Sequence, residues 1–234
     1  MRSTESQKRR SYAGTASRAS PAVYSQIMSA METEIKFAVA DLADLAERLL
    51  AAGFQVQTPR AFESNTLYDT PDRQLRARTE IVRIRSYAGR TVLTHKRVPE
   101  TGPGAGQSDG QQAGANQDRH KHRIETETEV SDGEALAQVF RSLGLLPAFR
   151  YEKWRTEWTD GQGHCVVDET PIGNYAELEG HAEWIDRIAA RLGVAPEQYS
   201  TLSYGRLFEQ WRERTGSTAA DLTFEESARV IHHL

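Results

Sequence analysis

The sequence predicts an α+β fold in which eight antiparallel strands close into a barrel with helices packed outside, and three observations lead there. Eight short segments alternate polar and apolar residues with period 2, apolar stripes of helical spacing stand between or after them, and the polar strand faces repeatedly carry like-charged pairs. The last observation is the unusual one, because like charges two residues apart on one face repel and a merely solvated face would be better served by mixed alternation.

The strands fall at 31–38, 63–69, 79–86, 90–97, 121–130, 150–159, 164–169 and 174–180. In the first, Glu32, Glu34 and Lys36 share one face while Ile35 and Phe37 share the other. A helix from Asp41 to Ala52 carries Leu42, Leu45 and Leu49 on one stripe. A second, from Ser131 to Leu143, opens with a Ser131/Glu134 capping box and is expected to bury Leu136, Val139, Phe140 and Leu143. Two more follow the last strand, one with Trp184, Ile185, Ile188 and Leu192, the next with Tyr204, Leu207 and Trp211. Thr223 with Glu226 is placed to cap a short C-terminal helix. Tyr68-Asp69-Thr70-Pro71 is expected to end a strand in a turn.

The 234 residues, 38% of them hydrophobic, suffice for one sizeable core, so one main domain is expected over 31–214. The Ser-, Ala- and Arg-rich stretch 1–30 is predicted to be a disordered tail, with Met28 and Met31 as alternative starts; 99–118 is predicted to be a flexible Gly- and Gln-rich loop, and 215–234 a short helical tail. Lys+Arg 29 against Asp+Glu 33 gives a net charge of -4, which excludes the global basic excess of a nucleic-acid binder. No apolar run reaches the length of a membrane span and no signal-peptide core is present, so a cytoplasmic, soluble protein is expected. The sole cysteine, Cys165, can form no intramolecular disulfide and is assigned to packing, as are Trp154, Trp158, Trp184 and Trp211. His120 and His122 are expected to be exposed, and His164 and His181 to lack partners.

The charged faces recur along the chain. Arg83 and Arg85 oppose Val82 and Ile84, Lys96 opposes Leu93, and Arg123, Glu125, Glu127 and Glu129 oppose Ile124 and Val130. Lys153 and Arg155 oppose Trp154, Asp168 opposes Cys165 and Val167, and Glu177 and Glu179 oppose Leu178. If the sheet closes, these side chains converge on a lumen, where charges are costly unless they meet opposite charges, water or ligands. Carboxylate pairs supply hard oxygens for Mg²⁺ or Mn²⁺, and converging Lys and Arg supply contacts to phosphate oxygens. Together they describe a site for a metal-bound polyphosphate.

Glu32-Thr33-Glu34-Ile35-Lys36 resembles the ExExK signature of the CYTH family, the triphosphate tunnel metalloenzymes. It is followed in order by Arg83-Ile84-Arg85, Leu93-Thr94-His95-Lys96-Arg97, Arg123-Ile124-Glu125-Thr126-Glu127, Lys153-Trp154-Arg155, Asp168 and Glu177-Leu178-Glu179. The segments Val167–Gly180 and Phe149–Lys153 are most similar to the class IV adenylate cyclase branch. The resemblance implies an eight-stranded antiparallel tunnel. It implies metal ligands Glu32, Glu34, Glu127, Asp168, Glu177 and Glu179, holding two Mg²⁺ or Mn²⁺ ions, and phosphate contacts from Lys36, Arg83, Arg85, Lys96, Arg123, Lys153 and Arg155.

The activity so implied is conversion of ATP to cyclic AMP and pyrophosphate. The alternatives are hydrolysis of inorganic, nucleoside or thiamine triphosphate, with Lys36 or Lys96 as catalytic base, and a non-catalytic polyphosphate- or nucleotide-binding module. The expected partner is a nucleoside or inorganic triphosphate, not a nucleic acid or membrane; a homodimer is compatible with this reading.

Overall fold

The eight strands form a closed barrel in the order β1-β5-β4-β3-β2-β6-β7-β8, every neighbouring pair antiparallel. The computed structural model describes residues 28–107 and 119–228. The strands are β1 (Met28–Val39), β2 (Gln55–Asp69), β3 (Ile81–Tyr87), β4 (Arg90–Arg97), β5 (Lys121–Glu129), β6 (Leu146–Thr159), β7 (His164–Thr170) and β8 (Gly173–Glu179). Between and after them lie α1 (Leu42–Ala51), α2 (Gln74–Ala77), α3 (Gly133–Ser142), α4 (Ala182–Arg191), α5 (Tyr204–Thr215) and α6 (Phe224–Ala228). The tail expected over 1–30 falls almost wholly outside the described residues, as does most of the loop expected over 99–118, although Gly102–Gln107 forms defined turns.

Alternation sorts each strand into an outer apolar face and an inner polar one. Ile35 and Phe37 of β1, Cys165 of β7 and Ala176 and Leu178 of β8 pack outward against Leu45 and Leu49 of α1 and Trp184, Ile185 and Ile188 of α4. The Trp184 indole lies flat against the chain at Gly163 and Gly180, where an added Cβ would come within 2.7 and 2.9 Å of the ring. On the opposite side, Ala137 and Phe140 of α3 pack with Tyr68, Val82, Ile84 and Leu93 from β2, β3 and β4.

The α3 face differs from the expected one. Asp132, not Ser131, is the N-cap and accepts from Ala135 N at 2.9 Å, and the turn of the helix leaves Val139 and Leu143 52% and 71% exposed. The Thr223 cap does form, its Oγ1 accepting from Glu226 N. Asp69 accepts from the backbone N–H groups of Thr70, Leu75 and Arg76, so one buried carboxylate closes the turn after β2. β2 and β6 are longer than alternation suggests, because register shifts at Val56/Thr58 and Thr58/Ala61 interrupt the period in the first half of β2.

Staggered pairing leaves two gaps in the wall, and C-terminal segments fill both. β1 pairs with β5 only as far as Glu34, beyond which Lys36 exchanges two backbone hydrogen bonds with Ser200. β6 pairs with β7 only from Trp154, and before it Leu222 accepts from Glu152 N and donates to Arg150 O.

Helices do not all stay outside. The first residue of α5, Tyr204, reaches inward, and with Phe149, Tyr151, Tyr175 and Phe208 it builds an aromatic cluster. His120 and His122, expected to be exposed, are buried: His120 Nε2 lies 3.1 Å from Asp186 Oδ1, and His122 Nδ1 lies 2.9 Å from Thr33 Oγ1. His164 also has a partner, Gln57 Oε1 at 3.0 Å.

Candidate active site in the barrel lumen

The inner faces bring the predicted charges together, but sort them into three groups. At the first, carboxylate oxygens of Glu32 and Glu34 from β1 and Glu179 from β8 lie within 4.8 Å of one another. The convergence follows from the Glu34–Glu179 pairing between the two strands and the two-residue step from Glu32 to Glu34. Lys96 Nζ binds both oxygens of Glu32 at 2.8 and 2.7 Å and reaches Glu125 at 3.2 Å. Lys121 Nζ binds Glu34 Oε1 at 2.7 Å. Burial acts to raise the Glu34 carboxyl, yet Lys121, helped by Lys36 and Lys96, holds it at about 2. At Glu179 the balance falls the other way: burial, and then Glu32, Glu177 and Glu34, outweigh Lys96 and push it up to about 8. A trio of buried carboxylates with one held so far above its ordinary range is a donor set that a divalent cation would relieve.

The second group is the closed end. Asp168 of β7 receives Lys153 Nζ at 2.8 Å, Arg155 Nε and Nη2 at 2.7 Å each, and the Tyr204 hydroxyl at 2.6 Å. Lys36 pairs with Glu177 at 2.6 Å, and Arg155 Nη2 reaches the other Glu177 oxygen at 2.9 Å. Glu63 of β2, absent from the sequence-derived set, stands 3.3 Å from Lys153 and accepts from Asn65 Nδ2 at 2.9 Å. The Lys36 and Lys153 ammoniums sit 4.5 and 4.6 Å from the centre of the Tyr204 ring. Three cations here meet three carboxylates, so this end is close to neutral on its own.

The third group has cations in excess. Arg83 donates to two hydroxyls, Tyr151 at 3.0 Å and Thr94 at 3.1 Å, and lies 3.6 Å from the Glu127 carboxylate. Arg85 shares the same Glu127 at 3.4 Å, and Glu127 itself accepts from Thr94 at 2.6 Å. The Nε atoms of Arg83 and Arg85 are buried without a hydrogen-bond partner. Two guanidiniums thus share one carboxylate and keep unused donors, the arrangement expected where an anionic ligand completes the site.

Access runs from this side. Side-chain exposure is 34% at Glu127, 17% at Arg85 and 16% at Lys96, and falls to 2% at Lys153 and nil at Asp168 and Glu63. The lumen therefore opens toward β3, β4 and β5 and ends at Tyr204.

Of the six acidic residues expected to bind metal, Glu32, Glu34 and Glu179 converge. Glu127, Asp168 and Glu177 instead hold arginines and lysines, because register places them opposite cations. Of the expected phosphate contacts, Arg123 turns to the β4–β5 connection, donating to His122 O at 2.8 Å and Gln107 Oε1 at 3.4 Å. Lys121, Glu63, Asn65 and Tyr204 are lumen residues that spacing did not single out. The first three share the inner parity of strands already placed at 121–130 and 63–69, so alternation within those ranges points to them.

The family model of the CYTH domain matches residues 30–188 of this chain. The chain belongs to the CYTH domain family. The adenylate cyclase CyaB of Aeromonas hydrophila is 24% identical over 190 residues, covering 76% of this chain and 89% of its own length. A protein of Methanocaldococcus jannaschii is 26% identical over 151 residues, 64% of this chain and 76% of its own. Among solved structures, a protein of Pyrococcus horikoshii superposes with a TM-score of 0.60 at 19% identity, covering 75% of this chain and 98% of that one. The barrel described above is thus a CYTH tunnel, and its inward Glu, Lys and Arg side chains are this chain's version of the tunnel lining. No helix among the described residues is long and apolar enough to cross a membrane.

Proposed function

We propose that this CYTH protein binds a nucleoside triphosphate with a divalent cation in the lumen and converts ATP to cyclic AMP and pyrophosphate, using residues 31–214 as the catalytic unit. The observation that carries the triphosphate reading is the juxtaposition of the Glu32, Glu34 and Glu179 trio with the under-neutralised Arg83 and Arg85 in one enclosed space. The similarity to CyaB of Aeromonas hydrophila over 76% of the chain supports cyclisation as the reaction.

Glu32, Glu34 and Glu179 are the residues that would hold Mg²⁺ or Mn²⁺. Bound there, such an ion would neutralise triphosphate charge and lower the pKa of a hydroxyl it coordinates. Arg83 and Arg85 grip phosphate oxygens through the donors left unused in the free barrel. Lys36, Lys153 and Arg155 form a fixed positive wall at the closed end, their geometry set by Asp168, Glu177 and Glu63 before any substrate enters. The aromatic cluster around Tyr204 excludes water behind them.

The lysines act in this reading as cations, not as bases. Burial lowers the Lys36 pKa, but Glu177 and Glu34 outweigh it, and at Lys96 Glu32 and Glu125 do the same, so both stay protonated. Water activation by a neutral lysine, the route considered for triphosphate hydrolysis, would require the neighbouring carboxylates to be drawn off by the metal first.

The test is product analysis of purified protein incubated with ATP and Mg²⁺ or Mn²⁺. Cyclic AMP and pyrophosphate in equal amounts are expected; orthophosphate without cyclic AMP would replace the cyclase reading with a triphosphatase one. Tight nucleotide binding with no turnover would leave a non-catalytic binding module.

A further inference from the structure

Two lysines neutralise the acidic trio, and they do so unequally. Lys96 is pinned by three carboxylate contacts, both oxygens of Glu32 and one of Glu125. Among the described residues Lys121 makes a single carboxylate contact, Glu34 Oε1 at 2.7 Å, and stands at the first residue of β5, directly after the β4–β5 connection. Its side chain is 12% exposed and that of Glu34 8%, so the pair is enclosed on the lumen side and not a solvated surface bridge. The Glu34–Lys121 backbone pairing between β1 and β5 fixes the two side chains on the same inner face.

We propose that Lys121 is a resident counter-cation of the metal site and a positioning residue for substrate. In the metal-free barrel its ammonium occupies the Glu34 carboxylate; a divalent ion taking that carboxylate displaces the ammonium, which is then available to a phosphate oxygen. The physical basis is competition for one carboxylate. An ammonium in a single contact loses to a dication shared by three carboxylates, whereas the triply held Lys96 exchanges less readily. The exchange keeps the lumen near charge balance at each stage: Lys121 cancels Glu34 before the metal arrives and meets the negative charge of the triphosphate after it. Metal and triphosphate binding are thereby coupled, each favouring the arrangement the other needs. The inference rests on the reading of Glu32, Glu34 and Glu179 as the metal ligands.

The test compares wild type with Lys121→Met and Lys121→Arg at one fixed pH. Two titrations are made by calorimetry, Mn²⁺ alone into metal-free protein and inorganic tripolyphosphate into the Mn²⁺-saturated protein. Lys121→Met is expected to bind Mn²⁺ roughly tenfold more tightly and tripolyphosphate roughly tenfold more weakly, with Lys121→Arg near wild type in the second titration. Opposite shifts are the signature, since a merely structural lysine would weaken both affinities together. Should Lys121→Met fail to fold, as judged by its melting curve, Lys121→Gln carries the same comparison.

Unchanged or weaker Mn²⁺ binding in the neutral variant, with normal binding in wild type, overturns the role of Lys121 and leaves the metal site standing. Absence of Mn²⁺ binding in wild type overturns the metal site itself and this inference with it.

Discussion

The Tyr204 hydroxyl donates to Asp168 Oδ2 at 2.6 Å while its ring meets the Lys36 and Lys153 ammoniums at 4.5 and 4.6 Å, so a helix residue completes the floor of a barrel built from strands. Tyr204 thereby links the C-terminal helices to the site. Removing only the hydroxyl in Tyr204→Phe strips one donor from a wholly buried carboxylate, and urea unfolding is expected to show a loss of about 1–3 kcal/mol. Tyr204→Leu, which also removes the ring that both ammoniums meet, is expected to cost more and to weaken triphosphate binding.

Arg83 and Arg85 share Glu127 and keep buried, unused Nε donors. Arg83→Met is therefore expected to weaken tripolyphosphate binding roughly 10–100-fold, the worth of a charge-assisted contact, while Arg83→Lys recovers part of it. Equilibrium titration checks this, and an Arg83→Met variant with wild-type affinity would place the phosphates elsewhere.

Glu34→Gln keeps the shape of a proposed metal ligand and removes its charge. Metal-dependent turnover is expected to fall by roughly 100-fold or more, whereas metal-free affinity for tripolyphosphate holds or improves as a negative charge leaves the lumen. Steady-state rates and calorimetry on the same preparation separate the two effects.

The Glu179 carboxyl is raised to about 8, first by burial and then by Glu32, Glu177 and Glu34. A raised carboxyl means that the folded, metal-free barrel holds this proton more tightly than the unfolded chain does. Its contribution to stability is therefore present at low pH and declines as pH climbs from the ordinary carboxylate range through about 8. Glu179→Gln, neutral throughout, escapes that decline. Its melting temperature relative to wild type is expected to rise between roughly pH 6 and a pH above 8, by about 2–4 °C for each kcal/mol of repulsion relieved. Added Mn²⁺ should narrow the difference in wild type's favour.

All eight strands are visible in the sequence because alternation separates an apolar outer face from a polar inner one. Where the contrast fails, so did the reading. The first half of β2 is broken by register shifts, and Glu63 and Asn65, though on the inner parity of the strand at 63–69, stand among uncharged neighbours with no like-charged pair to mark them. On α3, the N-cap at Asp132 brings Ala137 to the sheet where larger Val139 and Leu143 were expected. His120 and His122 stand beside a loop, where exposure is the expectation, but Asp186 of α4 and Thr33 of β1 meet them across distances in sequence that no spacing reveals. The site was legible as a set of charges and not as pairings: alternation gave the inward face of Asp168, Glu127 and Glu177, while which cation each one meets depends on the stagger between strands. Tyr204 lay beyond reach for a related reason, since an amphipathic helix shows its apolar stripe but not that its first residue crosses into a barrel.

The most direct test of the account is a crystal structure of the protein with Mn²⁺ and a non-hydrolysable ATP analogue, read by anomalous scattering at the manganese edge. Manganese is expected against Glu32, Glu34 and Glu179, phosphates on Arg83 and Arg85, and Lys121 released from Glu34. Manganese bound away from that trio, or an analogue held outside the lumen, would contradict it.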